Sequence, residues 1–199
     1  TVNEEWFGYG YFLDTFDNPT PVVVNAERLE YSTMRGRDVA IVRLQESLGY
    51  LKGLGIQPIA ILDEEPEPAT PVVNIAAPVQ DIPAEDWVLR SGECTLTHQV
   101  DLLEFHWKWQ NAWANDCPGV RQGSSGSPLL SLDDQGVPSI AAVINTTTAG
   151  STPENGGMCF LNRPCEFGES GFEWAEDTSY GVSVAGIGQC FGDDGVFAL

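Results

Sequence analysis

The stretch CPGVRQGSSGSPLLS, residues 117–131, sets three of its four serines among glycines and prolines directly ahead of an apolar run. A serine hydroxyl becomes a useful nucleophile only when a base takes its proton and donors stabilise the oxyanion that follows. Gly123 presents its N–H with no side chain in the way, and Gly126 permits a tight turn after Ser125. The N–H groups of Gly123 and Ser125 are therefore expected to point at one oxygen. The plainer alternative is a flexible Ser/Gly loop that leads through Pro128 into a strand.

The surrounding chain decides which kind of scaffold holds this turn. Its apolar segments are short, rich in β-branched and aromatic residues, and separated by Gly, Pro, Asn and Asp. GYGYFLDTF, PVVVNAERLEYS, DVAIVRL, PIAIL, WVLRSGECTLT, LLEFHWKWQ, SIAAVINTTT and YGVSVAGI read as strands. Only Leu44 to Leu54 has room for a helical turn or two. The expected class is all-β, as barrels or a sandwich. Residues 63–85, rich in Pro and acid, read as a surface connector between two β units. A second irregular stretch, TAGSTPENGGMCFLNRPCEFGESGFEWAEDTS, is long for a structureless loop, which points to binding or to disulfide pinning.

The 199 residues are 42% hydrophobic, enough to bury a core. No run of about 18 apolar residues occurs, so no membrane span is expected. Twenty-nine acidic residues against nine basic ones give a net charge of −20, which disfavours nucleic acid as a partner. The five cysteines form no CxxC or Cys/His zinc pattern, so no metal is expected. Disulfides Cys94–Cys117 and Cys159–Cys165 are expected instead, with Cys190 free or bonded outside the chain. Such pairing suits a secreted or periplasmic protein.

GSSGSP resembles the nucleophile motif of the trypsin-like (chymotrypsin-fold) serine proteases. RGRDVAIVRL is similar to the segment bearing that family's catalytic aspartate, which falls at Asp38. IAAVINTTT and TSYGVSVAGI resemble the strands lining its substrate cleft. The Pro-Cys-Glu run at 164–166 and GQCFGDDGVFAL look like bacterial members.

The resemblance implies two antiparallel Greek-key β-barrels, the first incomplete. Residues 1–75 would be the remainder of the first barrel, and 76–199 the linker and second barrel. It implies a serine endopeptidase acting on polypeptide substrates without a cofactor. Ser125 is then the nucleophile, Gly123 and Ser125 form the oxyanion hole, and Asp38 is a buried carboxylate orienting a histidine. Gly119 falls at the base of the specificity pocket, where trypsin carries an acid. Glu166 is the candidate replacement, and Asn145 and Thr146 are candidate substrate contacts. Ser124 stands where many relatives carry the aspartate that pairs with a new N-terminus, so activation here would not use that ion pair.

The histidine breaks the pattern. The family order is His, Asp, Ser, and both histidines of this chain, His98 and His106, follow Asp38. Each reads as an ordinary strand residue. The expectation is that the base lies before Thr1 or on a second chain. The sequence thus reads as a protease lacking its N-terminal part, and the ending soon after Cys190 suggests truncation there too. The rival reading is a non-catalytic homologue serving as a binding or structural module. A generic β-sandwich carrying these motifs by chance would instead leave Asp38 and Ser125 far apart.

Overall fold

The computed structural model describes residues 9–12, 22–152, 159–192 and 197. The chain forms two compact units: Thr1–Met34 with Val39–Pro58, and Arg35–Asp38 with Ile59–Leu199. In the first, β1 (Tyr9–Phe12), β2 (Val22–Thr33) and β3 (Val39–Leu44) form an antiparallel sheet in that order. The remainder of GYGYFLDTF lies outside the described residues. The expected helical turn is α1 (Leu48–Gly53), whose Ser47 cap accepts the Tyr50 N–H at 3.2 Å. Glu30 on β2 bonds both Arg28 and Arg43, and these bonds lower the pKa of its carboxyl.

The second unit contains β4 (Ala60–Ile61), β5 (Thr70–Ala76), β6 (Arg90–Glu104), β7 (Trp107–Asn115), β8 (Pro128–Leu132), β9 (Pro138–Thr147), β10 (Cys165–Gly168), β11 (Gly171–Glu173) and β12 (Ser179–Ser183). The neighbours run β6-β5-β8-β9-β12-β7, and β7 pairs back with β6. Every pairing in this circuit is antiparallel. Six strands therefore close on themselves, which removes exposed sheet edges as in a β-barrel. The β10–β11 hairpin extends from β6, and β4 lies parallel to β9.

Closure follows from the length of β6. Its first half pairs with β5, from Arg90 to Leu96, and its second with β7, from Leu96 to Glu104. Register shifts between Leu96 and His98 and between Val100 and Leu102 bend it. Val72, Leu96, Trp113, Val120, Leu129, Ala142 and Ile144 form the main core. Leu102, Trp109, Ala112, Ala114 and Tyr180 form a second cluster. Consecutive residues 112–115 of β7 are all buried, because both faces of this strand are covered.

Three expectations need correction. The connector over 63–85 contains β5, a strand inside the ring whose Val72 and Asn74 are buried. LLEFHWKWQ is not one strand: the chain reverses at Phe105 and His106, between β6 and β7. The long irregular stretch contains the strands β10 and β11.

Both expected disulfides are present and Cys190 is a free thiol. Cys94 and Cys117 are 23 residues apart in sequence. Replacing both with alanine is expected to cost roughly 3 kcal/mol through loop-closure entropy. Urea denaturation of the oxidised proteins would measure it. The six-residue Cys159–Cys165 loop should cost less.

Candidate active site

The turn ahead of β8 is held on three sides. Asn74 on β5 is buried, and its Nδ2 donates to Ser127 Oγ at 2.9 Å and to the Pro128 carbonyl at 3.0 Å. The Val79 and Gln80 N–H groups both donate to the Gln122 carbonyl, at 3.0 and 3.3 Å. On the β9 side, Gly126 N–H reaches the Ile144 carbonyl and Ile144 N–H reaches the Ser127 carbonyl, each at 2.8 Å. Inside the turn, Ser124 is fully buried and its Oγ accepts the Arg121 N–H at 3.2 Å.

Within this bracing, alternate N–H groups remain open. Those of Ser124, Gly126 and Ser127 are bonded to carbonyls. Among the described residues, neither the Gly123 nor the Ser125 N–H donates to a protein acceptor. The Ser125 side chain is exposed, and its Oγ makes only a long 3.4 Å bond to the Asn145 carbonyl. Two uncommitted N–H donors flanking an exposed hydroxyl can bind an anionic oxygen.

Gly123 has φ 95°, a conformation that side chains rarely adopt. A Cβ there would meet Val79 Cγ2 at 2.8 Å and Val79 N at 3.0 Å. Gly123→Ala is therefore expected to destabilise the second unit by about 2–4 kcal/mol, combining backbone strain with overpacking. Thermal unfolding would read it, with Gly119→Ala as comparison. Gly119 also has positive φ, but its Cβ position is open.

Asn145 and Thr146 lie on β9 next to this turn. The Asn145 Nδ2 is buried without a partner. Thr146 Oγ1 donates to Glu104 Oε1 at 3.0 Å. Glu104 is itself buried and also accepts Trp109 Nε1–H at 2.9 Å and the Asn162 N–H at 2.8 Å. Its carboxylate joins β6, β7, β9 and the loop before β10.

Asp38 belongs to this same unit. Gly36 bridges to Trp109, and the Gln110 N–H donates to the Gly36 carbonyl at 2.7 Å. The expected full burial of Asp38 is corrected: the residue stands just before β3, in part exposed and in part shielded. Partial shielding first, then the charge of Glu104, raise its pKa above the ordinary aspartate value.

The remaining candidates are placed elsewhere. Gly119 occupies an exposed turn at φ 76°. Glu166 on β10 accepts the Tyr180 hydroxyl at 3.0 Å and lies 3.3 Å from His98 Nε2. Its carboxylate is thus engaged within the fold. Burial, reinforced by Glu166, raises the Tyr180 pKa. The other nitrogen of His98 contacts Thr97 Oγ1 at 3.1 Å, and His106 is exposed against the Phe105 ring. Neither histidine contacts Ser125.

Asn74, Glu104 and Glu65 are the residues that sequence reasoning missed. Glu65 ties the acidic segment to the ring through Ser183, Gln99 and Trp113. A cavity of about 530 Å³ opens between β5, β6 and β8, walled by Pro71, Val73, Glu93, Asp116 and Leu132. None of the candidate catalytic residues lines it. No protein-family model matches the chain, and no curated protein matches it significantly. Among the described residues, no helix is long and apolar enough to cross a membrane.

Proposed function

We propose that the chain is the nucleophile-bearing part of a trypsin-like serine endopeptidase. The observation that carries this reading is the pair of uncommitted N–H groups, Gly123 and Ser125, flanking the exposed Ser125 hydroxyl. The strand order supports it. Numbering the ring strands one to six along the chain, the neighbours run one-two-three-six-five-four, as in a Greek-key barrel of the chymotrypsin type. The two disulfides favour a secreted or periplasmic setting.

In this reading Ser125 Oγ attacks the peptide carbonyl carbon as an imidazole takes its proton. The carbonyl oxygen becomes an oxyanion held by the two N–H groups, each worth on the order of 10²–10³ in turnover. Collapse breaks the C–N bond and the imidazole returns the proton to the leaving amine. Water then attacks the acyl-enzyme by the same route, releasing acid and restoring Ser125. Asp38 orients the imidazole and stabilises its charged form. Neither His98 nor His106 serves as that imidazole, so the reading requires a histidine from another segment or chain.

A fluorophosphonate probe followed by intact-mass and peptide mapping tests the proposal on the natural polypeptide. One adduct on Ser125 is expected. Complete absence of labelling removes the enzyme reading and leaves the alternative, a non-catalytic binding module. The engagement of both histidines away from Ser125 favours that alternative.

A further inference from the structure

The β10–β11 hairpin is lightly attached to the ring. Among the described residues, β10 pairs with β6 only at Cys165–Leu103 and Glu166–Leu102, and β11 pairs with β10 alone. Phe167 and Phe172 are 57% and 41% exposed, and their rings meet each other at 5.3 Å. An element with so few anchors can open locally at low cost. Besides the short ladder and the Cys159–Cys165 disulfide, the Glu166 side chain holds it. The hydroxyl of the buried Tyr180 on β12 donates to Glu166 Oε1 at 3.0 Å, and His98 Nε2 on β6 lies 3.3 Å from Oε2.

Proton counting shows what the His98 contacts require. The Thr97 hydroxyl donates its single proton to the Ala114 carbonyl at 3.1 Å, and the same oxygen lies 3.1 Å from His98 Nδ1. That second contact is a hydrogen bond only if Nδ1 carries a proton. A carboxylate accepts and does not donate, so the Glu166 contact needs a proton on Nε2 as well. All three bonds coexist only with an imidazolium, and loss of one proton breaks one of them. We propose that His98 and Glu166 form a proton-dependent latch, which holds the β10–β11 hairpin against β6 when the imidazole is charged and loosens it when the imidazole is neutral. The groups facing this pair are Tyr180 on β12 and Glu173, opposite Glu166 on β11. On β7 the residue opposite His98 is the uncharged Ala114. Imidazole is the side chain among them that changes charge between pH 5 and 8. The charged form gains a bond in the closed hairpin, so this stabilisation is present at low pH and is lost as pH rises through the imidazole titration. The latch stands whether or not Ser125 is a nucleophile.

Amide hydrogen exchange of the natural polypeptide, corrected for intrinsic rates and compared at about pH 5 and about pH 8, tests the latch. Amides of residues 165–173 should be about threefold better protected at the lower pH, relative to amides of β8 and β9. The effect is modest because the His98 side chain is 50% exposed. His98→Gln, which keeps a donor but does not titrate, should remove the difference, and so should Glu166→Gln. Because His98 is half exposed, His98→Gln keeps the fold and decides the matter even if Glu166→Gln, which also alters the acceptor of the buried Tyr180, does not fold. Equal relative protection at the two pH values in the wild type, or a difference that survives either substitution, overturns the latch.

Discussion

The Ser125→Ala variant is expected to lose fluorophosphonate labelling and to lower peptide hydrolysis by the natural polypeptide about 10⁴-fold or more. Its unfolding free energy should stay within about 0.5 kcal/mol of wild type, as for other exposed substitutions. The asymmetry follows from the turn. The Ser125 hydroxyl is exposed and its one bond, at 3.4 Å, is long, so little packing or hydrogen bonding is lost. The neighbouring Ser124→Ala should show the reverse. Its buried hydroxyl accepts the Arg121 N–H, so removing it should cost about 1 kcal/mol or more and leave labelling in place. Labelling that persists in Ser125→Ala would assign the nucleophile elsewhere and end the proposed mechanism.

The contrast between these serines shows what local sequence carries. Gly123, Gly126 and Pro128 announce a constrained turn, and the alternation in SIAAVINTTT announces β9, because both rules act over a few residues. Strand β5 escapes them. Pro71 within an acidic, proline-rich segment argues against an inner strand. It is tolerated because β5 pairs with β8 only at Val73 and Asn74, leaving Pro71 unpaired on that side. The β6–β7 reversal is hidden differently. Phe105 takes positive φ where Gly or Asn would have signalled a turn, and its N–H is bonded to the carbonyl of Cys159, far away in sequence. The candidate site divides along the same line. Ser125 is legible from its neighbours, whereas Asn74 and Glu104 acquire their roles from partners far away in sequence.

Glu104→Ala is expected to lower the stability of the second unit by about 3–5 kcal/mol in urea denaturation, because buried donors lose a charged acceptor together. Trp109 Nε1–H and Asn162 N–H have fixed directions and would be left unpaired, while the Thr146 hydroxyl can turn. Glu104→Gln keeps the shape and one oxygen but opposes an NH₂ to a donor, costing about 1–2 kcal/mol. It also removes the negative charge that helps raise the Asp38 pKa. Since Asp38 is shifted upward, its contribution to stability is fully present below the unfolded aspartate pKa and is lost as pH rises through the folded value. In Glu104→Gln that window should narrow from its upper end without closing, because partial shielding is the larger cause and persists. Carboxyl-carbon NMR titration of Asp38 measures this directly. A downward shift in Glu104→Gln is expected, and an unchanged Asp38 titration would dissociate the two carboxylates and remove Glu104 from the electrostatics of the candidate site.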